Sequence, residues 1–400
     1  MITVDQALEI ILHRVAPLGS ESVALDAVYR RTLAEEVIAD MDLPPFNRAR
    51  MDGYALRAED AQTAPVTLKL IGEIAAGASF NGEIKPGEAI KIFTGAPVPA
   101  GATAVQKVEV TESDALTVTI KEPVKPGQFI TPRASEINAG ETITRAGRRI
   151  DAAEMAVLAS FGYPQVKVFR RPRVAVLSTG SELVEVSQKP VEAQIRNSNS
   201  YSIAAYVERA GGVVENLGTV IDTPEATREA LLKAFEHRDV VITSGGVSMG
   251  DYDLVKATLK ELGAEIYFDK VIIRPGKPTV FARRDDTWFF GLPGNPVSTS
   301  VTFNVFARPA LRILQGDSEP LLPTIHAELV SGIKDASSRR SFLPARLFVK
   351  DGRALVESLK WGGSSDLVAF MNANALIIAR EQVHEIAAGS LVEVLTLNEF

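Results

Sequence analysis

The sequence predicts a multidomain chain of mixed α/β and β class, and three observations lead to this prediction. Strand, loop and helix patterns alternate from about residue 173, which is typical of a parallel sheet covered by helices. Short β-type runs between Gly/Pro turns fill residues 45–133, and β-type runs return after residue 319. We therefore expect a three-layer α/β domain with a parallel-rich sheet, a small β-rich domain and a C-terminal β-barrel-like domain.

The composition narrows the functional classes. The 400 residues are 46% hydrophobic and 23% charged, as in folded globular proteins. A net charge of −7 argues against broad nucleic-acid binding, and no window reaches the apolar length of a membrane span. The absence of cysteine excludes disulfides and cysteine nucleophiles. The acidic, helical N-terminus is not a signal peptide, so we expect a cytoplasmic protein with no nucleic-acid or membrane partner.

The first elements follow from local signals. Thr3 and Gln6 have capping-box spacing before an apolar stripe, which predicts a helix that ends before Pro17. "VTLKLIG" and "ALTVTI" are predicted strands, and "DAAEMAVLASFG" is a second helix. The predicted domains are a linking and helical subdomain (1–45 and 134–172, of which 1–20 could pack on the α/β domain), a β-rich subdomain (46–133), the α/β domain (173–318) and the C-terminal β domain (319–400).

The α/β segment has three apolar runs that predict strands, "RVAVLS", "DVVITS" and "TWFFGL". Thr223 before Pro224 and Asn295 before Pro296 each indicate a capped helix start. Further on, Asp351-Gly352 predicts a hairpin turn, and "NALIIA" and "SLVEVLTL" predict two later strands.

The three predicted strands of the α/β segment, "RVAVLS", "DVVITS" and "TWFFGL", each end in a polar loop that contains glycine. Ligands of open parallel sheets lie beyond the carboxyl ends of the strands, and glycine lets backbone N–H groups approach a phosphate. We interpret the loops as a phosphate or pyrophosphate site, although each alone could equally be a tight turn. Their spacing matches neither the dinucleotide fingerprint nor the P-loop. The candidate residues are Ser178, Thr179, Gly180, Ser244, Gly245, Gly246, Ser248, Gly250, Pro293, Gly294 and Asn295.

Carboxylates accompany these loops. An anion site that collects acids needs a cation between them, and Mg²⁺ held by one or two carboxylates and by phosphate oxygens meets that need. Glu182 and Asp253 are the better ligand candidates, with Asp222 as the third. Asp251 is better explained as a helix N-cap, and Asp222 could also be a solvated turn residue.

A basic cluster follows at Lys270, Arg274 and Lys277. In an extended strand Lys270 and Arg274 would share one face, so the cluster could hold a second anion; the alternative is a solvated edge. The four histidines lie outside these loops, which argues against a Ser-His-Asp arrangement. Catalysis at such a site would depend on positioning and electrostatics.

Several long segments resemble the molybdopterin molybdenumtransferase family, known as MoeA in bacteria and as the gephyrin E domain in animals. They occur in the family's order over essentially the whole chain: "MDGYALR", "IFTGAPVPAGATAVQKVE", "VLSTGSELVE", "QIRNSNSYSIAAYV", "ITSGGVSMGDYD", "RPGKPTVF" and "GLPGNPVST". The resemblance implies an enzyme that inserts molybdenum from molybdate into adenylylated molybdopterin and releases AMP with Mg²⁺. It also implies an elongated homodimer with four subdomains per chain and a molybdopterin adenylyltransferase as substrate donor.

The resemblance also assigns site residues by motif position. They are the acids Asp52, Glu182, Asp222 and Asp253, the bases Lys270, Arg274 and Lys277, and in addition Thr94, Pro293, Pro296 and Ser365. The role of Asp52 rests on the resemblance alone, because "NRARMDGYAL" otherwise reads as a polar turn.

Three segments depart from the family's frequent pattern. Asn47, with Arg48 and Arg50 nearby, and Ile137 stand where the family often has acids, and Arg274 stands where lysine is frequent. Two alternative functions remain. A molybdopterin adenylyltransferase would use ATP and free molybdopterin, and a gephyrin-like scaffold would need an attached partner domain that we do not expect from this sequence.

Overall fold

The computed structural model describes residues 1–247, 254–334 and 337–397. The chain forms two compact units. The first unit contains residues 1–34, 147–151 and 165–400, and the second contains residues 35–146 and 152–164.

Eight α-helices occur in the described residues. They are α1 (Val4–Arg14), α2 (Ala152–Ser160), α3 (Asn199–Arg209), α4 (Pro224–Phe235), α5 (Leu254–Glu261), α6 (Pro296–Thr302), α7 (Arg308–Leu314) and α8 (Leu367–Met371), with 3-10 turns at Leu25–Ala27, Ala58–Ala61 and Val108–Val110. The predicted capping box of Thr3 and Gln6 is confirmed, as is the Thr223 cap of α4. Within the described part of the chain, no helix has the length and apolar character needed to cross a membrane.

The predicted helix over 296–314 is interrupted. A π-helical turn, Phe303–Ala307, joins α6 to α7. Pro309 explains the irregularity, because it has no N–H to donate and its ring would clash with a carbonyl one turn earlier. Asn295 is the N-cap residue of α6, but its side chain does not cap the helix as the sequence had suggested.

The N-terminal half of the chain contributes twelve strands. They are β1 (Ser20–Ala24), β2 (Val37–Ile38), β3 (Arg48–Ala49), β4 (Gly53–Leu56), β5 (Val66–Ile74), β6 (Glu88–Ile92), β7 (Ala104–Lys107), β8 (Thr111–Ser113), β9 (Thr117–Ile120), β10 (Ile130–Thr131), β11 (Thr142–Thr144) and β12 (Gln165–Phe169). In the second unit the six-stranded sheet β7-β4-β6-β5-β9-β8 confirms a β-rich fold. Apolar clusters around Leu56 and Ile90 form its core.

The α/β domain of the first unit contains nine strands: β13 (Arg173–Thr179), β14 (Leu183–Val184), β15 (Ile195–Arg196), β16 (Val213–Val220), β17 (Val240–Ser244), β18 (Glu265–Phe268), β19 (Ile273–Arg274), β20 (Val280–Arg284) and β21 (Thr287–Leu292). Six of them form the main sheet, in the order β16-β13-β17-β21-β20-β18. The first four strands are parallel, and β20 pairs antiparallel with both β21 and β18. The predicted parallel-rich sheet is confirmed.

Both faces of this sheet are buried, which accounts for the continuous apolar runs of its strands. Alternate residues such as Val176 and Ile242 face the cluster that α1, α3, α6 and α7 cover. Leu177 and Val241 face the opposite cluster, which α4 and α5 cover. The register places Ser178 beside Ser244, and Ser244 beside Leu292, so the three parallel strands end in one row.

The C-terminal domain is a closed barrel. Its strands are β22 (Thr324–Leu329), β23 (Ile333–Lys334), β24 (Arg340–Lys350), β25 (Arg353–Ser358), β26 (Ala375–Ala379), β27 (Glu385–Ile386) and β28 (Leu391–Thr396). The order β24-β25-β22-β28-β26 closes because β24 also pairs with β26. The predicted hairpin turn is confirmed, with both Asp351 and Gly352 at positive φ. The predicted barrel-like domain is therefore confirmed.

Candidate active site

A cavity of about 580 Å³ lies at the carboxyl ends of the parallel strands in the first unit. We call it the strand-tip cavity. All three predicted loops contribute to its wall, together with residues of the basic segment and the barrel. It is lined by Thr179, Gly180, Glu182, Asp222, Gly245, Gly246, Val247, Arg274, Pro275, Gly276, Lys277, Pro278, Pro293, Gly294, Asn295, Ser298, Arg339, Trp361, Gly363 and Ser364.

Two carboxylates reach this cavity beside the first loop, since Glu182 follows that loop and Asp222 follows β16. The Ser181 N–H donates to Asp222 Oδ2 at 3.1 Å, and the Asp222 N–H donates to Ser181 Oγ at 3.2 Å. This reciprocal pair fixes Asp222 beside the loop that precedes Glu182. Thr179 Oγ1 is buried and has no hydrogen-bond partner among the described residues, so a polar group of a ligand could satisfy it.

The second loop depends on glycine for close approach. Gly245 has φ +89°, and a Cβ at this position would overlap the Thr179 carbonyl oxygen. Gly246 has φ +65°, and its Cβ would lie 2.7 Å from Thr179 Oγ1. The first two loops therefore touch backbone to backbone, which no larger residue at Gly245 allows.

The third loop connects the α/β domain to the barrel. Thr299 Oγ1 donates to the Pro293 carbonyl at 2.5 Å, and Asn295 Nδ2 donates to Ser364 Oγ at 2.8 Å. The Val297 N–H donates to the Ser364 carbonyl at 3.0 Å. Ser364 thus lines the cavity from the same chain, whereas the neighbouring predicted residue Ser365 is not among the lining residues.

Cationic side chains enter the wall from two distant parts of the sequence. Arg274 and Lys277 line the cavity as predicted, and Arg339 joins them. Arg339 Nη1 donates to the Ile273 carbonyl at 3.2 Å. Lys270 is not a lining residue, because the segment is not one strand from 270 to 274; β19 begins only at Ile273. The argument that Lys270 and Arg274 share a strand face therefore does not apply.

The residues present fit a magnesium ion that also binds phosphate oxygens. Glu182 and Asp222 line one cavity, and Mg²⁺ typically takes one or two protein carboxylates there. Across residues 1–247, 254–334 and 337–397, no group of three or more His, Cys, Asp or Glu side chains could hold a metal by itself. The predicted residues Ser248, Gly250 and Asp253 lie outside the described residues, as does Asp251.

Three further predicted residues lie behind the cavity wall or beside it. Ser178 and Ser244 are 1% and 2% exposed, and they bond to neighbouring side chains instead of lining the cavity. Pro296 is the first residue of α6. Their positions suit support of the loops more than ligand contact.

In the second unit, Asp52 and Thr94 are direct partners. Asp52 Oδ1 accepts hydrogen bonds from both the backbone N–H and Oγ1 of Thr94, each at 2.7 Å. These two bonds lower the pKa of Asp52. Asp52 is therefore an ionised, exposed carboxylate that Thr94 holds in one orientation. The sequence alone indicated only a polar turn at this position.

The two segments of the second unit that differ from the family's frequent pattern, around Asn47 and Ile137, contact one another. Asn47 Oδ1 accepts from the Arg133 N–H at 2.8 Å, and Arg48 forms an ion pair with Glu136 at 3.1 Å. Leu43 and Ile137 form an isolated β-bridge. The two segments thus form one local surface with its own charge pairing.

Sequence reasoning missed Ser298, Arg339 and Trp361 in the cavity wall. Trp361 is one of only two tryptophans and precedes Gly362-Gly363, so a signal was present there. Arg339 had none, because parallel pairing of Ile273 with Arg340 brings it to the site from a distant segment.

Three family models match this chain. The MoeA N-terminal region (domain I and II) matches residues 2–162, the probable molybdopterin binding domain matches 175–313, and the MoeA C-terminal region (domain IV) matches 326–397. Together they account for most of the chain in the order of its domains.

Relatives and solved structures agree with these models. The molybdopterin molybdenumtransferase of Nostoc sp. is 39% identical over 99% of this chain and 94% of its own, and that of Haemophilus influenzae is 34% identical over 100% and 99%. The crystal structure of the molybdopterin biosynthesis MoeA protein from Pyrococcus horikoshii covers all of both chains, with a TM-score of 0.83 and 31% identity. The chain therefore belongs to the molybdopterin molybdenumtransferase family, a family of transferases in molybdenum cofactor biosynthesis.

Proposed function

We propose that this transferase inserts molybdenum from molybdate into adenylylated molybdopterin and releases AMP in a Mg²⁺-dependent step. The observation that carries the proposal is the strand-tip cavity, in which glycine loops, two carboxylates and three cations line one space. The names of the relatives specify molybdenum transfer, which favours this reaction over adenylylation of molybdopterin and over a scaffold role.

The loops would hold the phosphate part of the substrate. The backbone N–H of Gly246 can approach phosphate oxygens because neither Gly245 nor Gly246 has a side chain. The buried Thr179 hydroxyl can donate to the same group. Holding the link between AMP and the pterin in one geometry would supply the positioning on which such reactions depend.

Glu182 and Asp222 are the described residues that would hold Mg²⁺, with Asp253 as the third ligand expected from the sequence. When bound, the ion would neutralise charge on the phosphate oxygens as AMP leaves. Asp222 is already oriented by Ser181, so it needs little reorganisation to serve as a ligand.

Arg274, Lys277 and Arg339 would attract the oxyanion of molybdenum. Arg339 is fixed by its bond to the Ile273 carbonyl, and Lys277 is confined between Gly276 and Pro278. Cations that are already ordered lose less conformational entropy when an anion binds. The dithiolene sulfurs that capture the metal would come from the substrate.

The wider site follows the family's motif positions. We propose functional roles for Lys270, Pro296 and Ser365, together with Ser248 and Gly250 in the second loop, and separately for Asp52 and Thr94 of the second unit. We further propose a cytoplasmic homodimer that receives its substrate from a molybdopterin adenylyltransferase. Sedimentation of the purified protein at micromolar concentration tests the dimer, since a monomer would contradict it.

A purified-protein assay separates the candidate reactions. Adenylylated molybdopterin with Mg²⁺ should release AMP only when molybdate is added. An adenylyltransferase would instead consume ATP and free molybdopterin, and a scaffold would do neither. Molybdate-independent AMP release, or none under any condition, contradicts the proposal.

Glu182→Gln tests the metal assignment. Loss of one carboxylate charge toward Mg²⁺ should reduce AMP release by roughly 100-fold or more. Glu185→Gln is the matched control, because Glu185 is exposed, lies in the same segment and does not line the cavity. Equal activity of the two variants would remove Glu182 from the metal site.

A further inference from the structure

Asn199 makes two hydrogen bonds that join two of the cavity loops. It is the first residue of α3, and its Nδ2 donates to Ser244 Oγ at 2.6 Å and to the Gly294 carbonyl at 2.7 Å. Ser244 ends β17, whereas Gly294 follows β21. A single amide group therefore spans the second and third loops.

These two loops are also joined directly, so the Asn199 bonds complete a local network. Ser244 Oγ donates to the Pro293 carbonyl at 3.3 Å, and the Gly245 N–H donates to the Leu292 carbonyl at 3.0 Å. Gly294 and Gly245 are in ordinary packing contact, since a Cβ on Gly294 would lie 3.7 Å from Gly245 Cα. The separation of the loops is thus set where both line the cavity.

Asn197 performs the corresponding role at the ends of the neighbouring strands β13 and β16. Its Oδ1 accepts from Ser178 Oγ at 3.2 Å and from the Ser200 N–H at 3.1 Å. Its Nδ2 donates to Ser200 Oγ at 2.8 Å and to Thr219 Oγ1 at 3.0 Å. Asn197 and Asn199 together reach the ends of β16, β13, β17 and β21, which are the four parallel strands in their order across the sheet.

The chemistry of Asn199 requires an amide. Gly294 offers a carbonyl oxygen, which only accepts hydrogen bonds, so the NH₂ group of Asn199 must point toward it. The Oδ1 of Asn199 is buried and has no partner among the described residues. The donor side of the amide therefore carries the link, and a carboxylate of the same shape would place an oxygen against the Gly294 carbonyl.

Neither asparagine lines the cavity, but Asn199 bonds to Gly294, which does. We propose that Asn199 is a positioning residue that sets the distance between the loops at 244–246 and 293–295, and thereby the affinity for the phosphate end of the substrate. The substrate part of this inference rests on the proposed function, whereas the link between the loops does not.

Asn199→Asp is the central test, because it keeps the shape and removes both donors. With AMP and Mg²⁺ as the probe in calorimetry, we expect the Kd to rise by about 10- to 100-fold. The kcat at saturating substrate should fall by less than about threefold, since bound substrate can restore the loop spacing. Asn216→Asp is the matched control, because Asn216 is exposed on β16 and uses only its Oδ1, toward the Gly218 N–H.

Hydrogen exchange separates failure of this inference from failure of the proposed function. The Gly245 amide should exchange at least about tenfold faster in Asn199→Asp than in wild type or Asn216→Asp, whether or not the protein binds a pterin. Wild-type protein that does not bind AMP would contradict the proposed function while leaving this readout intact.

Unchanged exchange at Gly245 together with an unchanged Kd overturns the positioning role. A parallel fall in kcat and stability with no change in Kd also overturns it, since that pattern indicates a merely structural residue. If Asn199→Asp does not fold, Asn199→Ser is the second variant. Its shorter hydroxyl can make at most one of the two bonds, so its Kd should rise by several fold, and a wild-type Kd would contradict the inference.

Discussion

Two cavities of similar size in the first unit have different walls. The strand-tip cavity has about 580 Å³ and is lined by glycine, proline, carboxylates and cations. A second cavity of about 540 Å³, here called the barrel cavity, is lined by Val4, Asp5, Leu8, Asn304, Val305, Pro309, Leu321, Leu322, Thr324, Arg340, Phe342, Ile378, Arg380, Glu381, Glu393 and Leu395. It lies where α1 and the π-helical turn meet the barrel.

The difference lies in what the charges already contact. In the barrel cavity, Arg340 donates to both carboxylate oxygens of Asp5 at 2.6 and 2.8 Å and lies 3.3 Å from Glu381. In the strand-tip cavity, Asp222 is held by Ser181, while Thr179 keeps a buried hydroxyl without a partner in the described chain. The two cavities therefore differ in how their charged groups are paired, and not in volume.

The largest effect should come from Gly245→Ala in the strand-tip cavity. Gly245 has φ +89°, and the added Cβ would overlap the Thr179 carbonyl oxygen, so the first and second loops must separate. We expect AMP to bind at least about 100-fold more weakly by calorimetry. Gly218→Ala is the control, because Gly218 also has a positive φ of +83° but has open space around it. Equal binding by the two variants would show that the contact between the loops is unimportant.

Lys277→Gln should have an intermediate effect. Removing one of the cations that line the strand-tip cavity should raise the KM for molybdate by about tenfold, because a charge-assisted contact is lost. The exposed Lys260 on α5 provides the control variant Lys260→Gln. If both variants keep the wild-type KM, the oxyanion does not bind beside Lys277.

In the barrel cavity, Asp5→Asn should lower the free energy of unfolding and leave the KM for molybdate unchanged. The Asp5 side chain is 70% exposed, so its bidentate pair with Arg340 should contribute only about 0.5 to 1 kcal/mol, measured by urea unfolding. Arg380→Gln is the comparison, since Arg380 is 78% exposed and lies 3.9 Å from Glu393. A changed KM for molybdate in Asp5→Asn would mean that the two cavities are coupled.

The smallest expected effect is the pH dependence of that pair. The hydrogen bond from Arg340 lowers the pKa of Asp5, so the folded state favours the carboxylate. Its contribution is complete above the unfolded pKa of about 3.9 and is lost as the pH falls through the lower folded pKa. The difference in unfolding free energy between wild type and Asp5→Asn should be constant above about pH 5 and shrink toward pH 3. A difference that grows in acid would contradict the sign.

Local signals predicted the secondary structure and the glycine loops well, because caps, turns and apolar runs act over a few residues. Thr223, Asp351 and the strand at Thr287–Leu292 are examples. The same reasoning failed where the chain leaves regular geometry, as at Lys270. It also missed Arg339, whose position depends on pairing between β19 and β24.

Asn197 and Asn199 show a different limit. In the sequence they are polar residues before a helix, where asparagine is common, so nothing separates them from ordinary capping residues. Their partners come from four strands that the sequence does not place side by side. Site residues that act through other residues are therefore harder to predict than those that would touch a ligand.

The pairing of β24 with β26 has a consequence for how this protein behaves when concentrated. Because the five strands form a ring, each strand of the ring pairs with another strand on both sides, although β22 and β25 pair only at Glu328–Leu355 and Leu329–Val356. A ring of this kind offers another molecule fewer unpaired backbone amides than an open sheet with two edge strands, so we expect weaker strand-to-strand association through the barrel.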